Sequence, residues 1–105
     1  MPRWTNNDRE AIALTDLIND SPLHGIVVVK LNDGGSIEGV INSIRAGNNA
    51  GEDGWRYYGS MVLTDVHGNQ HEIDLLDVDK MINVTEERRD DYEKAGHFQS
   101  IDFLR

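Results

Sequence analysis

The stretch Ile26-Val-Val-Val-Lys-Leu-Asn-Asp-Gly-Gly-Ser-Ile-Glu-Gly-Val-Ile41 decides the fold. Its first four residues are β-branched, a composition that stiffens χ1 and favours a strand over a helix. Asn32-Asp33-Gly34-Gly35 follows, and these residue types tolerate the positive φ of a hairpin turn. Ser36 to Ile44 is then the returning strand, with Ile37, Val40, Ile41 and Ile44 apolar. The alternation slips between Ile37 and Val40. Gly39 lies in the slip, where a glycine permits the bend or bulge that curls a small sheet.

Upstream of the hairpin the period is helical. Ala11, Leu14, Leu17 and Ile18 recur at steps of three and four, and Ile12 falls beside that stripe. Thr5 and Asp8 have capping-box spacing, so Thr5 is the expected N-cap. Asp8 and Glu10 suit the positive end of the helix dipole. Pro22 ends the helix.

Downstream, Arg45 to Gly54 contains three glycines and two asparagines and predicts an exposed irregular loop. A third strand is predicted over Trp55 to Thr64 and a turn over Asp65 to Asn69. A fourth strand covers Gln70 to Leu76, a tight link covers Asp77 to Lys80, and a short fifth strand runs from Met81 to Val84 or Thr85. Glu86 to Ala95 is charge-dense and predicts a short helix ended by Gly96. Beyond it, Phe98, Ile101, Phe103 and Leu104 are too many apolar groups for a solvating tail, so they dock on the domain or engage another chain. The division is a folded unit at residues 1–85 and a charged C-terminal helix or tail at 86–105.

The chain has 105 residues, 19 acidic against 10 basic, for a formal net charge of -9, and no cysteine. That is one domain's worth of sequence. Disulfide and thiol chemistry are excluded. The longest apolar run is far short of a membrane-spanning helix, and the polar Arg3-Trp-Thr-Asn-Asn-Asp8 is unlike a secretory signal. The expectation is a cytoplasmic protein with no membrane partner. Acid is concentrated in residues 65–80, where Asp65, Glu72, Asp74, Asp77 and Asp79 face only Lys80. Because nucleic-acid binding rests on cations that neutralise phosphate, this balance disfavours it.

One helix and five short strands, with a bent second strand and a one-turn link before the fifth, describe a mainly β fold. The expected architecture is a strongly bent antiparallel five-stranded barrel of the SH3-like kind with a charged C-terminal extension. Ile26 to Gly34 followed by Ser36 to Ile41 resembles the first half of the Sm-like signature, a strand ending in Leu-x-Asp-Gly and a strand reading apolar-x-Gly-x-apolar. Ile73-Asp-Leu-Leu-Asp-Val-Asp-Lys-Met-Ile-Asn-Val84 is similar to its second half. The likeness spans residues 8–85 and looks closest to a bacterial group of single-domain proteins with a variant Sm-like barrel. It implies self-association as a dimer or ring, with strand four of one copy beside strand five of the next. RNA-binding Sm-like proteins carry a cationic pair at the end of strand four. Leu76-Asp77 stands there in this chain, and a carboxylate repels phosphate. No nucleic-acid-binding residue is therefore carried over.

The residues that offer chemistry are few. Trp55, Tyr57 and Tyr58 form the one aromatic cluster, with Arg45 and Arg56 the only bases near it. Exposed aromatics stack nucleobases or anchor protein interfaces. His67 and His71 flank a turn beside Asp65 and Glu72, a weak set for a divalent metal. His24 and His97 stand apart. Asp77-x-Asp79 lacks the glycine and distal glutamate of a calcium loop. Glu72 and Asp74 share a strand face and read as its solvent side. No nucleophile motif or phosphate loop occurs. The expected role is a non-catalytic, self-associating module that binds protein and needs no cofactor. The alternatives are a divergent RNA or single-stranded nucleic-acid binder using the aromatic cluster, and a small metal-dependent protein using His67 and His71.

Overall fold

The computed structural model describes residues 3–51 and 54–96. The apolar tail residues Phe98, Ile101, Phe103 and Leu104 lie outside them, as does His97. In chain order the elements are α1 (Asp8–Asp20), β1 (Ile26–Leu31), β2 (Ser36–Asn48), β3 (Tyr57–Thr64), β4 (Gln70–Asp74), a 3-10 turn (Leu75–Asp77), β5 (Val78–Asn83) and α2 (Thr85–Ala95). The strands form one antiparallel sheet in the order β4-β3-β2-β1-β5.

Helix α1 starts two residues later than its sequence suggests. Asn7 is the N-cap, and its side chain accepts from the Glu10 N–H at 2.9 Å. The Glu10 carboxylate in turn accepts from the Asn6 N–H at 2.6 Å. Asparagine caps as well as threonine does, and Thr5 is used elsewhere. Its hydroxyl accepts from the Tyr57 N–H at 3.0 Å and its own N–H donates to the Tyr57 carbonyl at 2.8 Å. Thr5 thereby ties the N-terminal segment to the start of β3 and is buried. Leu14 is buried against the sheet, with Leu17 and Ile18 half-buried beside it. Ile12 falls outside the packed stripe.

The β1–β2 hairpin forms as its turn chemistry predicts. Gly34 sits at φ +93°, a conformation costly for residues with a Cβ. The Asp33 carboxylate accepts from the Gly35 N–H at 2.8 Å. Strand β2 then runs on to Asn48, pairing Arg45 with Ser60 and Asn48 with Tyr57. The expected Arg45–Gly54 loop therefore begins only after Asn48. Local composition could not show this, because the strand state of 45–48 is imposed by pairing with β3. Asn49 organises the remaining loop: its side-chain oxygen accepts from the N–H groups of Gly51 and Arg56, and its amide donates to the Gly54 carbonyl. The register shift in β2 lies between Ile41 and Ser43, not at Gly39.

The link between β4 and β5 is Leu75–Asp77, and β5 starts at Val78 rather than Met81. Asp74 caps the turn by accepting from the Leu76 N–H at 2.9 Å. Leu75 and Val78, three residues apart, are both buried, which suits a 3-10 turn better than a continued strand. β4 and β5 make no ladder with each other, so the sheet has two edges.

The main core contains Leu14, Val27, Val29, Ile41, Met61, Leu63, Ile73, Leu75 and Val78. Tyr92 of α2 closes a second, smaller core over Ile26 and Val40, with Val66 and Val84 half-buried at its margin. Gly96, at φ +81°, ends α2 as expected.

Candidate functional site

Strand β3 sorts the aromatic candidates by parity. Gly59, Met61 and Leu63 face the core, and Tyr57 shares their side and packs half-buried against it. Tyr58 takes the opposite side, where Trp4 meets it edge-on at 5.3 Å between ring centroids. Trp55 precedes the strand and is 63% exposed. The cluster is therefore two surfaces rather than one stacking platform.

The first surface is a groove of about 420 Å³ between α1 and the start of β3. Trp55 and Tyr57 line one side, and Asp8, Ala11, Ile12, Thr15 and Asp16 of α1 line the other. Ile12 is 62% exposed there. The sequence placed Ala11 on the apolar stripe of α1, Ile12 beside it and Asp8 in the first turn. Helical periodicity does not show the opposite wall, which comes from residues some forty positions away in the chain.

The second surface, a depression of about 550 Å³, holds Tyr58 and Arg45 together with Arg3, Ser60, Glu72, Asp74 and Asp77. Arg3 donates to the Asp77 carboxylate at 2.8 Å and lies 3.9 Å from Asp74. The hydrogen bond to Asp77 is the main cause that raises the Arg3 pKa. The acidic residue at the end of the β4 link is thus already held by a cation of this chain. Arg56 is exposed and belongs to neither lining; its N–H donates to Asn49.

The histidines do not converge. His71 Nε2 lies 2.8 Å from Asp65 Oδ2, whereas His67 contributes only its backbone N–H, donated to Asp65 Oδ1 at 2.9 Å. Asn69 donates its N–H to the same oxygen. Among the described residues no group of three or more His, Asp or Glu could hold a metal ion. Asp65 is an organiser of the β3–β4 turn. The His71 hydrogen bond, then the backbone N–H groups, lower its pKa from 3.8 to about 2. A carboxyl group lowered on folding binds its proton more weakly than in the unfolded chain. Its stabilising contribution is complete above 3.8 and disappears as pH falls toward about 2. The stability gap between wild type and Asp65→Asn is expected to close over that window, measured by urea unfolding along a pH series. A gap that stays constant through the acid range would contradict this role.

A third constellation was invisible in the sequence. Glu38 of β2 accepts from the Tyr92 hydroxyl at 3.0 Å and from Arg88 Nε at 2.9 Å. Arg88 also reaches Asp91 and lies 5.8 Å from the Tyr92 ring centroid. Burial, and then the hydrogen bond to Glu38, push the Tyr92 hydroxyl to a higher pKa. This cluster ties α2 to the sheet.

No protein-family model matches the chain, and no curated protein sequence does either. Among solved structures it is similar to XC5848 from Xanthomonas campestris, described as adopting a novel variant of the Sm-like motif. The two share 12% sequence identity and superpose with a TM-score of 0.62 over 79% of this chain and 94% of the other. At that identity the likeness concerns the backbone alone. Together with the strand order and the 3-10 link before β5, it gives this chain a fold similar to the variant Sm-like motif.

Proposed function

We propose that the chain is a non-catalytic interaction module that self-associates through its sheet edges and binds protein. The observation that carries this reading is the strand order, which leaves β4 and β5 each unpaired on one side. Unpaired N–H and C=O groups on an edge strand are a template for another strand. Two different edges on one chain suit head-to-tail pairing, which closes into a ring when the rotation allows. Ile82 of β5 is 41% exposed and adds apolar surface at that edge. The engagement of acids by other side chains supports binding over catalysis: Glu38 is held by Arg88 and Asp77 by Arg3, and Asp65 is hydrogen-bonded to His71. Among the described residues no helix is long and apolar enough to cross a membrane.

Light scattering is expected to return a mass at least double the 11.8 kDa of one chain. Ile82→Lys places a charge at the β5 edge and is expected to shift that mass toward the single chain without unfolding it. A wild-type monomer at every concentration would sink the self-association reading.

Single-stranded nucleic acid is the weaker reading, since Trp55 and Tyr57 lie beside the Asp8 and Asp16 carboxylates and Tyr58 lies against Trp4. Salt-sensitive oligonucleotide binding that disappears in Trp55→Ala would reverse that order.

A further inference from the structure

The groove between α1 and Trp55 has a charge pattern that selects its occupant. Asp8, Ile12 and Asp16 follow one another at intervals of four, so they form one line along α1. The middle of the line is apolar, and Trp55 stands across from it. Ile12 and Trp55 are both more than 60% exposed, so an apolar group seated between them removes a large hydrocarbon surface from water. Each end of the line is a carboxylate, and neither Asp8 nor Asp16 has a cationic partner among the described residues. A rise of 1.5 Å per residue sets the two carboxylates about 12 Å apart along the helix axis.

We infer that this groove binds an extended segment of another protein with the pattern basic-x-apolar-x-basic. The inference rests on the protein-binding reading above and specifies its partner. An extended chain advances about 3.3 Å per residue and places alternate side chains on one face. Bases four residues apart therefore match the Asp8–Asp16 spacing, with the apolar side chain between them aimed at Ile12 and Trp55. A second copy of this chain is not the occupant, because its sequence contains no two Lys or Arg residues four apart. Phosphate-bearing ligands are repelled at both ends.

The probe is an acetylated, amidated peptide Gly-Lys-Ser-Leu-Ser-Lys-Gly, together with versions that separate the lysines by two or three intervening positions on either side of the leucine. Trp55 fluorescence is followed in a Trp4→Phe background, so that one indole reports. Saturable binding is expected, about tenfold weaker in the Asp8→Asn/Asp16→Asn double variant and weakened by added salt. Replacing leucine by serine in the peptide, or Ile12 by Ala in the protein, is expected to weaken it as well. A glutamate version of the peptide is expected not to bind. Circular dichroism checks that α1 survives in each variant. The inference is overturned if Gly-Lys-Ser-Leu-Ser-Lys-Gly does not bind or binds no better than the wider-spaced peptides, if the glutamate peptide binds equally well, or if the double variant binds unchanged. Light scattering on the same samples separates the two readings. Oligomers without peptide binding sink only the groove, and a monomer that binds peptide sinks only the self-association.

Discussion

Replacing Tyr92 by alanine is expected to lower the unfolding free energy by about 3–5 kcal/mol, the range for truncating a buried aromatic. Tyr92 has no exposed surface and packs on Ile26 and Val40, which are themselves 0% and 5% exposed. Truncation leaves a cavity between α2 and the sheet and strips the Tyr92 hydroxyl from Glu38, leaving that carboxylate to Arg88 alone. Besides Tyr92, α2 is tied to the sheet by two polar contacts: the Ile26 N–H donates to Thr85 Oγ1 at 3.0 Å, and Arg88 Nε donates to Glu38 at 2.9 Å. The helix has 11 residues, its N-cap Val84 makes no side-chain hydrogen bond, and Tyr92 is its one buried residue. Helices of fewer than about 12–15 residues are marginal in water without tertiary support. Loss of α2 signal in far-UV circular dichroism is therefore expected beside the fall in stability measured by urea unfolding. Tyr92→Phe keeps the ring and removes only the hydroxyl, so its cost is expected near 1 kcal/mol. If Tyr92→Ala cost no more than Tyr92→Phe, α2 would not belong to the cooperative unit. Domains of this kind hold about 5–15 kcal/mol in all, so the alanine variant is expected to lose a large share of its stability.

The same residue shows where sequence reading stops. The β1–β2 hairpin was legible because its determinants are local: β-branched residues on one side, a glycine at positive φ in the turn, and a second apolar run. The fold class followed from that hairpin and from the spacing of the later strands. The Glu38–Arg88–Tyr92 cluster joins residues 50 and 54 positions apart, and each of them alone reads as an ordinary surface residue. The β2 extension over 45–48 was hidden for a related reason, since its strand conformation depends on β3 across the ladder. Thr5 was misread because two good caps stand two residues apart, and only the contact with Tyr57 decides which is used. The aromatic cluster read as one group in the sequence, and only the observed start of β3 at Tyr57 sorts Tyr57 and Tyr58 onto opposite sides and leaves Trp55 ahead of the strand. The acid-apolar-acid line of α1 was present in the sequence, but it gained meaning only from the wall it faces.

Gly39→Ala is expected to cost about 1–3 kcal/mol, the range for inserting a methyl group into a packed interior. Gly39 is buried in β2 opposite Val27, just beyond the last β2–β3 pair, Val40 with Thr64. A Cβ built there would lie 2.8 Å from the Thr64 carbonyl oxygen, 3.0 Å from the Leu63 Cβ and 3.1 Å from the Thr64 carbonyl carbon. Backbone atoms cannot turn aside, so either β3 moves away or β2 straightens. Both outcomes disturb the packing of Leu63, which is fully buried in the core. Gly59 supplies the internal comparison. Its Cβ would meet Leu75 Cδ1 at 2.9 Å and Leu14 Cδ1 at 3.0 Å, and terminal methyls can rotate out of the way. In both variants alanine also narrows the unfolded ensemble, a gain of about 0.4–1 kcal/mol where the native backbone accepts a Cβ. That gain is common to the two, so their difference isolates the clash. Urea unfolding is expected to rank Gly39→Ala well below Gly59→Ala in stability. The reverse order would mean that β3 yields at Thr64 more readily than the Leu14 and Leu75 side chains yield around Gly59.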